Sequence, residues 1–251
     1  MNFGLVSIIT PAYRAEDYIS QTVSSVRSQS YSDWEMLIVD DCSPDRTYEV
    51  VEAFSRMDSR IRLMRQSQNS GPSAARSRAL GEAKGRWIAF LDSDDLWLPS
   101  KLELQLDFHQ KSGAVLTFTE FRRMSADGKR IGSKISVPES LTYRQLLGNT
   151  AIATSTVIVD SKLSGRFQMQ QTYYDDFACW LELLRAGGEA CGLREDLMRY
   201  RVVNRSVSRN KLRSAHEVWK LYRQLENLSL SAAGFYFISY ALNGLQKYRR
   251  F

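Results

Sequence analysis

Apolar runs and helical stripes alternate through the first 121 residues, a pattern that predicts repeated strand–helix units. Leu5 to Thr10 is a short β-rich run that Pro11 closes, and Tyr18, Ile19, Val23 and Val26 then recur with helical spacing. Glu35 to Val39 is a second apolar run closing on Asp40-Asp41, followed by a turn at Ser43-Pro44-Asp45 and a helix bearing Val50, Val51 and Phe54. Ile61 to Met64 makes a third strand. Gly71-Pro72 opens a helix through Ala74, Ala75 and Ala79, Trp87 to Leu91 is a fourth strand, Lys101 to Lys111 a helix, and Ala114 to Phe121 a further strand. Such alternation predicts an α/β fold with a Rossmann-like, mostly parallel, doubly wound sheet.

The pattern loosens afterwards. A turn at Ala126-Asp127-Gly128-Lys129, a helix near Leu141 to Leu147, a strand at Thr156 to Val159 and a loop at Gly165 to Gln171 lead to a helix from Asp175 to Arg185. That helix carries Phe177, Trp180, Leu181 and Leu184 on one face and ends at Gly187-Gly188. In the tail, Val218, Leu221, Tyr222, Leu225 and Leu228 form an amphipathic stripe, and residues 227–246 hold no charge before Lys247-Tyr248-Arg249-Arg250. The uncharged stretch approaches the length of a membrane span, but serines, Asn243 and two glycines dilute it. It fits a helix lying at a membrane interface, and equally one packed on its own domain.

The net charge of +6 is unevenly spread: residues 199–251 hold eleven Lys/Arg against Glu217 and Glu226, a net of +9, which leaves the rest at −3. A basic surface beside aromatic residues suits anionic lipid headgroups or a diphosphate, with nucleic acid as the generic alternative. Cys42, Cys179 and Cys191 lack paired spacing, so they read as reduced thiols. His109, expected on a helix surface, and His216, near a helix start, lack metal-ligand spacing. The N-terminus runs into a strand without a basic leader region, so a cytoplasmic protein is expected.

Candidate chemistry gathers at strand ends. The fourth strand stops at Asp92-Ser93-Asp94-Asp95, three carboxylates within four residues, at the sheet edge where open α/β folds bind ligands. Hard oxygen donors of this kind suit Mg²⁺ or Mn²⁺ that also holds a diphosphate. Taken alone, the cluster equally fits a solvated turn capping the helix that Pro99 begins. Tyr13 could stack on a flat base while Asp41 accepts a hydrogen bond from a uracil-type imide, and Arg76 could meet phosphate or base oxygens beside a helix N-terminus.

These residues also carry a family resemblance. Val6 to Tyr13, Ile38 to Ser43, Asn69 to Arg76 and Leu91 to Asp95 resemble, in order, the consecutive motifs of family 2 glycosyltransferases with the GT-A fold, over about the first 105 residues. Tyr174 to Leu181 resembles the family's Glu-Asp motif, with Asp175 where Glu is usual, and Tyr200 to Ser208 resembles the loop that closes over the donor, without the His that many relatives place there. The resemblance implies that Thr10, Pro11, Tyr13, Asp41, Arg76, Asp92 and Ser93 bind the nucleotide, that Asp94 and Asp95 hold the metal, and that Asp176 is the base. Asp175, Trp180, Arg201, Ser206 and Ser208 would serve the acceptor or the donor loop. It implies a GT-A domain over residues 1–212, divided into a nucleotide-binding half (1–105) and an acceptor and base half (106–212), with a helical tail over 213–251.

The expected activity is inverting, metal-dependent transfer of one sugar from a UDP-sugar (glucose, galactose or an N-acetyl form) to a lipid-diphosphate-linked glycan, forming a β-glycoside in O-antigen, teichuronic-acid or capsule assembly. The expected partners include an anionic inner membrane touched peripherally, and no nucleic acid. No Gln-x-x-Arg-Trp motif of processive synthases occurs, nor a G-x-G-x-x-G turn of dinucleotide enzymes. The competing expectation is a catalytically silent sugar-nucleotide or glycan binder.

Overall fold

The computed structural model describes residues 2–149, 151–203 and 211–248, in which a ten-stranded mixed sheet lies between two helical layers. In chain order the elements are β1 (Val6–Ala12), α1 (Ile19–Arg27), β2 (Trp34–Asp40), α2 (Thr47–Met57), β3 (Ile61–Arg65), α3 (Pro72–Glu82), β4 (Trp87–Phe90), β5 (Leu96–Trp97) and α4 (Lys101–Ser112). Then come β6 (Leu116–Ser125), β7 (Ile131–Ile135), β8 (Ser140–Leu141), α5 (Tyr143–Leu147), a 3₁₀ turn (Thr154–Thr156), β9 (Ile158–Asp160), α6 (Ser161–Ser164), α7 (Asp175–Arg185) and β10 (Ala190–Val202). The chain finishes with α8 (Lys211–Lys220), a π-helical turn (Leu221–Leu225) and α9 (Leu230–Tyr248).

The strand order is β3-β2-β1-β4-β9-β6-β10-β5, with β7 on β6 and β8 on β10. β3, β2, β1 and β4 are parallel, as are β6 and β10, whereas β9 runs antiparallel to both of its neighbours, β4 and β6. The expected doubly wound sheet is present, and its parallel character is strongest in the first four strands. Alternate residues explain the layers: Ile8, Met36, Ile38 and Ala89 pack with α1, α2 and α4, while Ile9, Leu37, Val39 and Phe90 pack with α3 and α7. Both faces being covered, β2 is buried throughout and β1 everywhere but Pro11, which is why these strands read as unbroken apolar runs.

Two local expectations are corrected, and one strand is new. Pro11 does not end β1 but pairs with Val39; it faces the side where β4 has already stopped, so its missing N–H breaks no ladder. β10 was not expected at all, because register shifts at Leu193/Asp196 and Asp196/Arg199 break the period-2 pattern. His109 is buried, its Nε2 2.9 Å from the Ala114 carbonyl and its Nδ1 3.0 Å from the Thr117 hydroxyl, on the same face of α4 as Leu102, Gln105 and Leu106. Burial pushes this imidazole down to about 4.

The tail joins the body. Val218, Leu221, Tyr222 and Ala233 enter the same core as α3 and α7. The Glu226 carboxylate, with no exposed side-chain surface, accepts hydrogen bonds from the Tyr143 hydroxyl (2.5 Å) and Arg185 Nη2 (2.8 Å), and the Tyr222 hydroxyl donates to the Leu147 carbonyl.

Candidate active site

The acidic cluster begins where β4 stops. Leu91 N–H still donates to the Ile9 carbonyl, but Asp92 N–H turns to the Ser155 hydroxyl (3.0 Å), and Asp95 N–H closes a turn on the Asp92 carbonyl. The three carboxylates then meet different fates. Asp92 accepts from Arg76 Nη2 at 2.6 Å. Asp95 is wholly buried and accepts from the Ser155 hydroxyl (2.6 Å) and Arg201 N–H (2.8 Å), so it buttresses the turn from within rather than reaching outward as the expected metal ligand. Among the described residues Asp94 has only its own backbone N–H as a donor, and burial followed by the neighbouring Asp92 charge pushes its carboxyl up to about 6, with Arg201 and Arg76 partly offsetting. Burial first, and then Asp94 and Asp92, also raise Asp95.

Arg201 reinforces the same turn from β10. Its side chain donates to the Asp94 carbonyl, the Ala126 carbonyl and Gln21 Oε1, each at 2.8 Å, and the guanidinium lies over the Tyr18 ring. It is a buried strut at a strand end, not a residue of the donor loop. Ser206 and Ser208 lie outside the described residues. Ser93 contributes its carbonyl to the Thr22 hydroxyl at 2.9 Å, tying the cluster to α1.

The second carboxylate group stands at the N-terminus of α7, where helix amides favour negative charge. Arg76, buried on α3, spans the gap: Nη1 donates to Asp175 at 2.7 Å and Nη2 to Asp92, while Nε has no partner. Burial opposes its charge, yet Asp92 and Asp175 outweigh that and raise the guanidinium above its ordinary range. Arg76 thus shares its charge between two carboxylates, one on each side of the gap. Burial raises the Asp175 carboxyl, and Arg76 opposes the shift. Asp176 is half-buried, its Oδ1 taken by Phe177 N–H (2.7 Å) and its Oδ2 by the Thr154 hydroxyl (2.6 Å). Trp180 belongs to the core, edge-on to Phe90 at 5.1 Å, which corrects its expected place at the acceptor.

The 3₁₀ turn is the part that sequence reasoning missed. Thr154 reaches Asp176, Ser155 holds both Asp92 and Asp95, the Ser155 carbonyl accepts from Trp97 Nε1 (2.7 Å), and the Thr156 carbonyl accepts from Gln105 Nε2 (2.9 Å). The only signal available was three consecutive hydroxyls ahead of a buried run.

On the other side of β1, Thr10 is buried with its hydroxyl unpaired, and Tyr13 is 42% exposed beside Arg14. Asp41 accepts from Ser70 N–H and Gly71 N–H (2.8 Å each) and Gln66 Nε2 (3.2 Å). An ionised carboxylate offers about four acceptor positions, so about one stays open. Gly71 has φ of +87°, a conformation favouring glycine, which lets α3 start against Asp41. A cavity of about 600 Å³ lies between this helix start, Thr172 to Tyr174 and α8, with Arg213 and Lys220 among its walls.

The donor set can be tested for a divalent metal. Among the described residues no three His, Cys, Asp or Glu side chains converge as a ready cage. Asp94, half-buried and without a side-chain donor among them, beside Asp92, fits instead a hard cation that takes its remaining ligands from a diphosphate and water.

A family model described as glycosyl transferase family 2 matches residues 7–168. A Bacillus subtilis (strain 168) protein that bears the name of a teichuronic acid biosynthesis glycosyltransferase, TuaG, is 44% identical over 244 residues, covering 97% of both chains. An Escherichia coli protein, UDP-Glc:alpha-D-GlcNAc-diphosphoundecaprenol beta-1,3-glucosyltransferase WfgD, is 35% identical over 251 residues, 99% of this chain and 96% of that one. Among solved structures, S. aureus TarS 1-349 in complex with UDP-GlcNAc superposes with a TM-score of 0.74 at 18% identity, over 95% of this chain and 71% of that chain, a likeness of GT-A fold.

Proposed function

The chain belongs to glycosyl transferase family 2 and is a glycosyltransferase; from that premise we propose that it is metal-dependent and inverting, and moves one sugar from a UDP-sugar to a lipid-diphosphate-linked glycan. The observation that carries the reading is the division of labour along one sheet edge: among the described residues Asp94 lacks a side-chain partner, while Asp176 is aimed by the Thr154 hydroxyl and tied through Asp175 and Arg76 to Asp92. The name of the E. coli relative WfgD supports UDP-glucose as the first donor to try and a diphosphoundecaprenol-linked sugar as acceptor. Cell-surface polysaccharide assembly at the cytoplasmic face of an anionic membrane is the setting that fits such an acceptor.

In this reading Tyr13 covers the uracil face, and the open position on Asp41 accepts its imide proton. Thr10 and Pro11 line the same strand end. Asp92 and Asp94 would hold Mn²⁺ or Mg²⁺, which when bound supplies positive charge to the departing diphosphate. Asp176 takes the proton of the acceptor hydroxyl as that oxygen attacks the anomeric carbon from the opposite side. Displacement in line inverts the centre, so an α-linked sugar nucleotide gives a β-glycoside. Arg76 keeps Asp92 and the start of α7 at a fixed separation, so the donor and acceptor sides stay in register.

The test is a screen of UDP-sugars with Mn²⁺ and a synthetic lipid-diphosphate monosaccharide, the product linkage being assigned by NMR. A β-linked disaccharide formed only with metal is the expected product. Donor binding without transfer would favour the silent binder, and full activity in chelator would remove the metal from the scheme.

A further inference from the structure

α9 has two unlike faces. Ala233, Tyr236, Phe237 and Tyr240 pack into the body, and on the opposite side Phe235, Ile238 and Leu242, spaced i, i+3, i+7, are 69%, 62% and 59% exposed, with Leu230 (68%) at the helix start. These are four of the large apolar side chains that the described residues leave in solvent, gathered on one helix of 19 residues, about 28 Å long. No charge interrupts residues 227–246, and Lys247, Arg249 and Arg250 follow. Phe235 also walls a cavity of about 410 Å³ between α5 and α9, where the exposed Arg144 is the only charged lining residue among the described residues.

We propose that this outer face of α9 docks on an anionic lipid bilayer, lying flat in the interface with Phe235, Ile238 and Leu242 in the acyl boundary and Arg144 beside the headgroup phosphates. The charge pattern selects that occupant: the row holds no acidic group, the exposed Arg144 stands beside it, and Lys247, Arg249 and Arg250 follow it in sequence, which complements a negative surface. Among the described residues no helix is long and apolar enough to cross a membrane, and the inner face of α9 is already committed to the core, which leaves the flat orientation. The inference deepens the proposed function by naming the surface that meets the membrane where a lipid-linked acceptor resides.

The test is flotation of the full chain with phosphatidylcholine vesicles and with vesicles containing phosphatidylglycerol, for the wild type, Phe235→Glu/Ile238→Glu and Arg144→Ala. Wild type should float with the anionic vesicles, the double variant at least ~10-fold less at equal melting temperature, and Arg144→Ala should lose part of the preference for anionic over neutral lipid. The double variant should transfer sugar to a short-chain, water-soluble diphosphate acceptor as the wild type does. Absence of flotation, or flotation unchanged in the double variant, overturns the proposal. So does a concentration-dependent dimer that the double variant dissolves. Flotation without transfer to any lipid-diphosphate acceptor would sink the proposed reaction and leave this surface standing.

Discussion

The two acidic strand ends look alike in sequence and are opposites in structure. After β2, Asp40 is paired with Arg65 (3.2 Å) and Ser43 N–H, and Asp41 with Ser70, Gly71 and Gln66, so both carboxylates build the turns around them. After β4, Asp95 is equally saturated, Asp92 shares Arg76 with Asp175, and Asp94 sits half-buried among like charges with no side-chain donor among the described residues. A partly desolvated charge left without a donor is costly, and such strain concentrates where a ligand is to be held. The difference teaches that the second end keeps a carboxylate free for the proposed cation, whereas the first is tied into its own turns and keeps about one acceptor position for a ligand.

The contrast breaks most sharply at Asp94. Asp94→Asn should lower transfer by ~10³-fold or more, since the charge that holds the metal is gone, and yet should stabilise the chelated protein by about 1–3 kcal/mol. The sign follows from the raised carboxyl: its cost is present above about pH 6 and fades as pH falls toward the unfolded value, so the stabilisation should be full at pH 7.5 and small at pH 4. Thermal unfolding in chelator at both pH values, alongside kcat, checks this; an unchanged melting temperature would contradict the account of a carboxylate kept free.

Asp176→Asn should cost ~10²–10⁴-fold in kcat with UDP affinity nearly unchanged, because base removal acts on the transition state. Retention of a tenth of the rate would reassign the base. Asp41→Ala belongs to the first end and should behave as a structural loss, about 2–4 kcal/mol from the orphaned Ser70 and Gly71 amides, together with a higher donor KM. A variant that weakened donor binding at full stability would mean that Asp41 is spent on the ligand rather than on the turn. Thr154→Ala should lower kcat by ~10-fold by freeing Asp176, with Thr154→Ser restoring most of it; equal rates for both variants would remove the hydroxyl from the account. Arg65→Ala, at a partly exposed pair, should shift stability by under about 1 kcal/mol in a denaturant titration, and a larger loss would show that the β2 end depends on one ion pair.

The legible parts of the chain share a physical cause. β1, β2 and β4 are covered on both faces, so their apolar runs survive as written, and the carboxylates that follow β2 and β4 mark the candidate edge. Sequence order also brought Asp92, Asp94 and Asp176 into consideration, and the structure puts Arg76 and Thr154 between them. What it hid were directions and distant partners. Asp95 and Arg201 are bound to each other across 106 positions, Trp180 turns into the core although it sits in an acidic motif, and Ser155 carries no periodicity that could announce its two carboxylate-turn contacts. β10 vanished behind its own bulges.

The reversed direction of β9 has a consequence for anyone who would transplant this chemistry. Because β9 runs against β4, the three hydroxyl-bearing residues that precede it arrive at the rim where β4 finishes; a strand of the opposite sense would have delivered them to the far rim, a strand's length away. An all-parallel scaffold copied from the first four strands would therefore inherit the aspartates but lack the turn that aims and fastens them.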